Sequence, residues 1–192
     1  MFFMSKVSRE KIILHQDIKV KYDNNSNELF FEGKLGKKMF KIPEFLKAVI
    51  DSDKISIIKN ENYSNNLSKK SYAIHGTVVR LLKNIVKGLT VGFTKTLSIT
   101  GIGYKCTHEE NNKLLRFNLG YSNPKVQIIP EGIKINLKNP TTIEVFSSDN
   151  CQLGDFCYAI CNIRKYNKYN GAGIWDNSKI KPKKKTTKKA KR

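Results

Sequence analysis

Asn27-Glu28-Leu29, followed by Leu35-Gly36 and Pro43, recurs downstream as Asn112-Lys113-Leu114, Leu119-Gly120 and Pro130. The two copies are separated by about 84 to 87 residues within a chain of 192 residues. In each copy a polar, Asn-rich turn precedes a segment in which apolar and polar residues alternate, as expected for a half-buried strand. The repeat predicts a gene duplication and two similar domains.

Each copy contains several short strands. In the first copy we predict strands at 18–22, 28–32, a third that ends at Ile42, and a fourth at 55–58. A turn at 23–27 and a polar loop at 60–66 lie between or after them. In the second copy the predicted strands are 97–101, 114–119, 125–129, 133–137 and 142–146, with a turn at 109–112.

One amphipathic helix follows the strands of each copy, because apolar residues there recur at steps of three and four. Ser68 or Ser71 can cap the start of the first helix, and Gly88 lies at its predicted end. Asp149 or Asn150 can cap the second helix. The apolar stripes are Ile74, Val78, Leu81, Leu82, Ile85, Val86 and Leu89 in the first helix, and Leu153, Phe156, Cys157, Ile160 and Cys161 in the second.

These elements predict an α+β fold with two duplicated domains, each an antiparallel sheet packed against one helix, and a basic C-terminal tail. The expected boundaries are an N-terminal extension (1–11), a first domain (12–90), a second, RNA-binding domain (91–167), and a C-terminal loop and lysine-rich tail (168–192). The join falls near 90–94.

The charge of the chain predicts a polyanionic partner. Lys and Arg number 36 against 16 Asp and Glu, a net charge of +20. Nine of these cations lie in the last fourteen residues, yet 27 remain elsewhere against the same 16 acids, so the body is basic too. The tail after Ile180 has no apolar periodicity and is expected to be disordered by itself. Arginine is scarce, and the Lys, Asn and Ile bias is also what an AT-rich genome encodes.

Several classes of protein are disfavoured. No apolar run approaches the roughly 18–20 residues of a membrane span, and Met1-Phe2-Phe3-Met4 is too short for a signal peptide, so we expect synthesis in the compartment of use. The four cysteines form no CxxC pair. His15, His75 and His108 have no telling acidic neighbours, and Cys106 replaces the third glycine of a dinucleotide fingerprint begun by Gly101-Ile102-Gly103. We therefore expect no catalytic residue, metal, cofactor or small-molecule substrate.

Three segments combine glycine, aromatic rings and polar or cationic side chains. They are 101–105 (Gly-Ile-Gly-Tyr-Lys), 119–124 (Leu-Gly-Tyr-Ser-Asn-Pro) and 164–175 (Arg-Lys-Tyr-Asn-Lys-Tyr-Asn-Gly-Ala-Gly-Ile-Trp). Cations meet phosphates, aromatic faces stack on bases, and glycine lets another polymer approach the backbone closely. We interpret the segments as an RNA-binding surface. Ordinary turns with exposed aromatics are the alternative for each loop alone.

At these residues, from about Ile12 to Trp175, the chain resembles the L-six ribosomal proteins of the bacterial-type large subunit. The first two segments match the family's Gly-Val-Gly-Tyr-Arg and Leu-Gly-Tyr-Ser-His-Pro, and Pro130-Glu131-Gly132 follows. In the first domain, 75–77 and 81–88 match the family helix. The resemblance implies docking, mainly by the second domain, onto large-subunit rRNA near the sarcin-ricin loop and stalk base, beside neighbouring ribosomal proteins.

The chain departs from that pattern in its C-terminal loop. The loop from Tyr169 lacks two lysines and an arginine of the family's Tyr-Lys-Gly-Lys-Gly-Val-Arg-Tyr, and Cys161 stands at a usual arginine. Lys165 and Tyr166 replace prolines, and the usual helix arginine falls at Val79, one residue before Arg80. We infer a retained docking surface with altered phosphate contacts, partly offset by Lys165, Lys168 and the tail. An altered rRNA, as in a mitochondrial ribosome, would fit.

The expected function is that of a structural, non-enzymatic protein of the large ribosomal subunit. Its expected location is the ribosome of a mitochondrial matrix, with a bacterial cytoplasm or a plastid as alternatives. An RNA-binding protein or RNA chaperone that acts without the ribosome is the competing hypothesis, and an enzyme on nucleic acid would need acidic residues at metal-binding spacing. The predicted RNA-binding residues are Gly101, Gly103, Tyr104, Lys105, Gly120, Tyr121, Ser122, Asn123, Pro124, Arg164, Lys165, Lys168, Tyr169, Asn170, Gly171, Gly173 and Trp175, with Lys70, His75 and Arg80 in the first domain.

Overall fold

A computed structural model describes residues 11–14, 17–51, 54–60, 69–109, 113–182 and 184. The chain divides into two compact units, Met1–Gly92 and Phe93–Arg192. Each half contains antiparallel sheets and one helix, which confirms the predicted α+β class. The predicted loop at 60–66, the turn beyond Glu109 and most of the lysine-rich tail lie largely outside the described residues.

The first unit has two three-stranded antiparallel sheets rather than a single sheet. Their strand orders are β2-β3-β4 and β1-β6-β5, and both pack with the helix around one apolar core. Strands β1 and β5 were not expected from the sequence. The elements are β1 (Ile12–Ile13), β2 (Lys19–Asp23), β3 (Glu28–Gly33), β4 (Gly36–Lys41), β5 (Leu46–Asp51), β6 (Lys54–Lys59) and α1 (Lys69–Thr90).

Helix α1 buries a face slightly rotated from the predicted stripe. Ile74 and Leu81 are exposed, whereas Val79 lies in the core with Val78 and Leu82. The helix also continues through Gly88, so that glycine does not end it; Gly92, at φ 78°, does, and its N–H donates to the carbonyl of Lys87. This left-handed residue after the last turn satisfies a carbonyl that the helix leaves free. The caps proposed at Ser68 and Ser71 fall on residues whose side chains are not described.

The second unit repeats this plan and adds one strand. Its sheets have the orders β10-β9-β8 and β11-β12-β7-β13, and α2 packs on the second of them. Asp149 caps α2 as predicted by accepting a hydrogen bond from the Cys151 N–H. The elements are β7 (Phe93–Thr100), β8 (Lys105–Glu109), β9 (Leu114–Asn118), β10 (Lys125–Ile128), β11 (Ile133–Asn139), β12 (Thr142–Ser147), α2 (Asn150–Ile163) and β13 (Gly173–Asp176).

The internal repeat holds at the level of single hydrogen bonds. Asn27 and Lys113, each just before a central strand, have left-handed backbones with φ of 56° and 49°. Their carbonyls accept from the N–H groups of Ile42 and Ile129 in the same manner, at 2.9 Å in both units. Two segments that differ in most side chains thus build the same turn. In the helices that the structure describes, no stretch is both long and apolar enough to cross a bilayer.

Candidate nucleic-acid interface

The second unit brings two of the glycine–aromatic segments to the C-terminal end of α2. Arg164 follows α2 directly, and its guanidinium carbon lies 4.7 Å from the ring centroid of Tyr121 and 5.8 Å from that of Tyr104. The Tyr121 hydroxyl donates to the carbonyl of Ile163 at 3.1 Å. A hydrogen bond to Tyr121 is the main reason why the pKa of Arg164 is raised. The result is a permanently charged, planar cation held against aromatic rings.

The glycines of these segments admit a ring of the same chain. A Cβ on Gly101 would lie 2.5 Å from the Tyr104 ring, and one on Gly120 would lie 3.2 Å from it. Tyr104 itself is half-buried and packs against the core of the unit. The close approach that the sequence suggested for RNA at Gly101 and Gly120 is therefore made by Tyr104. Gly103, at φ 72° with open space around it, supplies the turn between them.

Segment 164–175 closes into a tight loop. The Asn167 N–H donates to the Ala172 carbonyl at 2.8 Å, and the Ile174 N–H donates to the Arg164 carbonyl at 3.0 Å. A Cβ on Gly173 would lie 2.6 Å from the Lys165 carbonyl oxygen, so only glycine fits where the two ends of the loop meet. Gly173 is buried and serves loop closure rather than contact with another polymer.

Aromatic rings give this loop a firm base. Tyr166 and Trp175 pack with ring centroids 5.0 Å apart, and the indole N–H of Trp175 donates to the Lys179 carbonyl at 2.9 Å. Tyr169, at the tip, is 63% exposed. The side chains of Asn167 and Asn170 accept from backbone N–H groups two residues on, which rigidifies the turn.

Exposed polar and cationic groups surround the ring cluster. Lys105 and the turn Ser122-Asn123-Pro124 are exposed, as are Lys165, Lys168 and Asn170. Gly171 is half-buried beside the Tyr166 hydroxyl, at 3.6 Å from a built Cβ. The arrangement presents a fixed guanidinium, exposed lysine cations and one free aromatic face. These groups are suited to phosphates and unstacked bases.

The first-unit candidates do not form a comparable site. His75 is 1% exposed, and its Nε2 lies 3.0 Å from the carbonyl oxygen of Ile57, so its place is in the core and the proposed RNA contact is corrected. Burial follows from its position on the helix face that covers β6. Arg80 is exposed on α1. The side chain of Lys70 lies outside the described residues.

Sequence reasoning missed three cations of this surface. Lys125 Nζ lies 5.8 Å from the Tyr121 ring centroid. The Lys184 N–H donates to the Lys168 carbonyl at 3.1 Å, and Lys184 Nζ lies 5.8 Å from the Tyr169 ring. Lys181 lines the same pocket as Lys184. The only sequence signal for the tail residues was the lysine run, which indicates charge but not where the chain returns.

The cysteines belong to the core or surface and do not assemble a reactive centre. Burial raises the pKa of the Cys106 thiol to about 12 and that of Cys157 to about 11. Such thiols stay protonated, and the thiolate is the form that attacks electrophiles or binds metals. Across the described ranges, no three His, Cys, Asp or Glu side chains are grouped so that they could hold a metal ion.

Comparison with known proteins gives consistent relatives. No protein-family model matches the chain. The chain is 35% identical over 175 residues to large ribosomal subunit protein uL6 of Borrelia hermsii (strain HS1 / DAH), which covers 91% of this chain and 92% of the relative. It is 36% identical to the protein of that name from Methylacidiphilum infernorum (isolate V4) and 33% identical to that from Hydrogenobaculum sp. (strain Y04AAS1), each over 171 residues.

Proposed function

Because the chain belongs to the large ribosomal subunit protein uL6 family, and is thus a structural protein of that subunit rather than an enzyme, we propose that it binds large-subunit rRNA through the second unit. The contact surface consists of the ring cluster Tyr104–Tyr121–Arg164 and the loop 164–175. One observation carries the proposal. Arg164 is held against two tyrosine rings, so a rigid guanidinium faces the partner at little further entropic cost.

The residues have distinct roles in this proposal. Arg164 offers its N–H edge to a phosphate or a base edge, since its faces are occupied by rings. Lys105, Lys165 and Lys168 neutralise phosphates without reading sequence, and the exposed turn 122–124 supplies hydroxyl and amide groups. Gly101 and Gly120 act indirectly, because they let Tyr104 support the guanidinium. Neighbouring ribosomal proteins would complete the surroundings.

The finer location belongs to the same proposal. We place the rRNA contact near the sarcin-ricin loop and the stalk base, where the resemblance of segments 101–105 and 119–124 to the L-six family puts it. The first unit would then contact rRNA little, because His75 is buried and Arg80 is its one exposed candidate among the described side chains.

We also propose an organellar, mitochondrial ribosome as the site of action. The Lys, Asn and Ile bias and the altered residues Asn170, Ala172 and Trp175 support it. The relatives named above are bacterial, which favours a bacterial ribosome instead. Localisation of the tagged full chain by cell fractionation separates the two.

Sedimentation of a native extract tests the function. We expect the full chain to travel with the large subunit through a sucrose gradient and to remain there after a moderate salt wash. Arg164→Ala should be released at lower salt than the parent, whereas Arg80→Ala should not. Accumulation of the parent at the top of the gradient would support an RNA-binding protein or chaperone that acts without the ribosome.

A further inference from the structure

A pocket lies between the loop 164–175 and the start of the lysine-rich tail. Its volume is about 360 Å³, within the roughly 300–1,000 Å³ of small-ligand sites. The lining includes Tyr166, Lys168, Tyr169, Asn170, Lys181 and Lys184. The lining residues that the structure describes include three lysines and no carboxylate, so the pocket favours an anion.

The pocket exists because the tail returns to the loop. The Lys184 N–H donates to the Lys168 carbonyl, which fixes one tail residue beside the loop tip. Lys184 Nζ then lies 5.8 Å from the Tyr169 ring centroid. The opposite wall is Tyr166, held by its packing against Trp175. Backbone and ring contacts therefore hold this cationic pocket open.

An anion alone would not explain the aromatic face. Tyr169 is 63% exposed, and such exposure of a ring beside three cations is typical of sites for bases joined to phosphates. Asn170 adds an amide beside the ring, although its Oδ1 already accepts from the Ala172 N–H. Its amide N–H groups can still donate to a base edge. One occupant has both an aromatic face and a negative charge of this size: a nucleotide.

We propose that this pocket receives a single unpaired nucleotide extruded from the rRNA. The base stacks on Tyr169, and its phosphate lies among Lys168, Lys181 and Lys184. This inference rests on the proposed function and adds to it a preference for bulged or single-stranded RNA at one position. The tail thereby recognises RNA structure, since a perfect duplex offers no free base.

The test uses the full chain and two RNA duplexes of about 16 base pairs, identical except for one bulged 2-aminopurine. We expect the bulged duplex to bind on the order of tenfold more tightly, as one base–aromatic stack provides, with quenching of the 2-aminopurine fluorescence. Tyr169→Leu should remove both the preference and the quenching while leaving affinity for the perfect duplex unchanged. Tyr158→Leu, an equally exposed tyrosine on α2, is the matched control.

Each other outcome has one meaning. Equal binding of the two duplexes by the parent, or a preference that survives Tyr169→Leu, overturns the pocket assignment but leaves the proposed function intact. Failure of the parent to bind either duplex or the large subunit overturns the proposed function itself. Binding of a glutamate-rich peptide that disappears in Lys181→Ala/Lys184→Ala, without a preference for bulged RNA, makes the pocket a protein-docking site and refutes the proposal.

Discussion

The guanidinium carbon of Arg164 lies 4.7 Å from the ring centroid of Tyr121, whose hydroxyl donates to the carbonyl of Ile163, the residue that precedes this arginine. One tyrosine thus fixes the backbone at the end of α2 and supports the cation that follows it. An arginine that is already ordered loses little rotamer entropy when it binds. The hydrogen bond joins residues 42 positions apart, so the second unit must fold before the cation takes its place.

Replacement of Tyr121 tests this support. We expect Tyr121→Leu to weaken binding of a large-subunit rRNA fragment roughly two- to fivefold, since an exposed cation–π contact contributes about 0.5–1 kcal/mol. Tyr121→Phe keeps the ring and should weaken binding less. Filter binding of the full chain measures both, with Tyr158→Leu as the control. Equal effects of Tyr121→Phe and Tyr121→Leu would show that the hydroxyl, not the ring, matters.

Two glycines of one segment should respond differently to alanine. Gly101→Ala places a Cβ 2.5 Å from the Tyr104 ring at a backbone φ of 152°, whereas Gly103→Ala meets open space at φ 72°. Left-handed backbone costs a non-glycine residue about 1–2 kcal/mol. We expect Gly103→Ala to lower the free energy of unfolding by about that amount and Gly101→Ala by clearly more. Urea unfolding monitored by circular dichroism measures the difference.

RNA affinity separates the two glycines further. Gly101→Ala should also weaken RNA binding, because it displaces the ring on which Arg164 rests. Gly154→Ala in α2 is the control; it meets no atom within 4 Å and should stabilise the helix by about 0.5–1 kcal/mol. If Gly101→Ala proved no more harmful than Gly103→Ala, the packing of Tyr104 against Gly101 would be in error.

Local signals account for what the sequence predicted well. The Asn-rich turns, the alternating strands and the Asp149 cap depend on near neighbours, and the duplication made each half a check on the other. Strand β13 was missed because Gly173–Asp176 follows a glycine-rich loop and becomes a strand only by pairing with β7. Strand β1 is two residues long and is defined by β6 in the same way.

The candidate site was harder to predict, because its signals were ambiguous rather than weak. Glycine next to tyrosine fits a close approach of RNA and a close approach of the tyrosine itself, and only the folded chain shows that Gly101 and Gly120 contact Tyr104. His75 begins an apolar stripe, and a small rotation of the helix decides whether it faces solvent or β6. The fold-back of Lys184 onto Lys168 has no counterpart in local pattern.

His75 should behave as a core residue. Because it is buried and contacts the Ile57 carbonyl, His75→Ala removes packing and a polar contact together. We expect the unfolding free energy to fall by about 2–4 kcal/mol, as for other large-to-small core changes. RNA affinity measured well below the unfolding temperature should not change. A stable variant with weakened RNA binding would restore the RNA-contact role.

Lys165 and Lys168 should contribute through phosphates. We expect Lys165→Ala with Lys168→Ala to weaken RNA binding and to reduce the slope of log affinity against log salt by up to about 0.9 for each duplex phosphate that is no longer neutralised. The matched control is Lys134→Ala with Lys138→Ala, two exposed lysines of β11 in the same unit. Titration from about 50 to 200 mM salt measures the slopes. Similar slopes for both double variants would remove the assigned roles of Lys165 and Lys168.

The buried thiols predict how stability depends on pH. An ordinary cysteine has a pKa of about 9, and burial raises that of Cys106 to about 12 and that of Cys157 to about 11 in the folded state. Below pH 9 both states keep the proton, and the thiols contribute no pH dependence. Above pH 9 the unfolded chain releases protons that the folded chain retains, so the free energy of unfolding falls as pH rises from about 9 toward 11.

Unfolding by urea at about pH 7.5, 9 and 10 measures this decline. The double variant Cys106→Ala/Cys157→Ala should be less stable at pH 7.5, because two packed side chains shrink, but its stability should decline less between pH 9 and 10. Cys151→Ala is the control, since Cys151 is exposed on α2 and its removal should leave the parent's decline unchanged. A double variant whose decline equals that of the parent would mean that lysines and tyrosines, which titrate nearby, account for all of it.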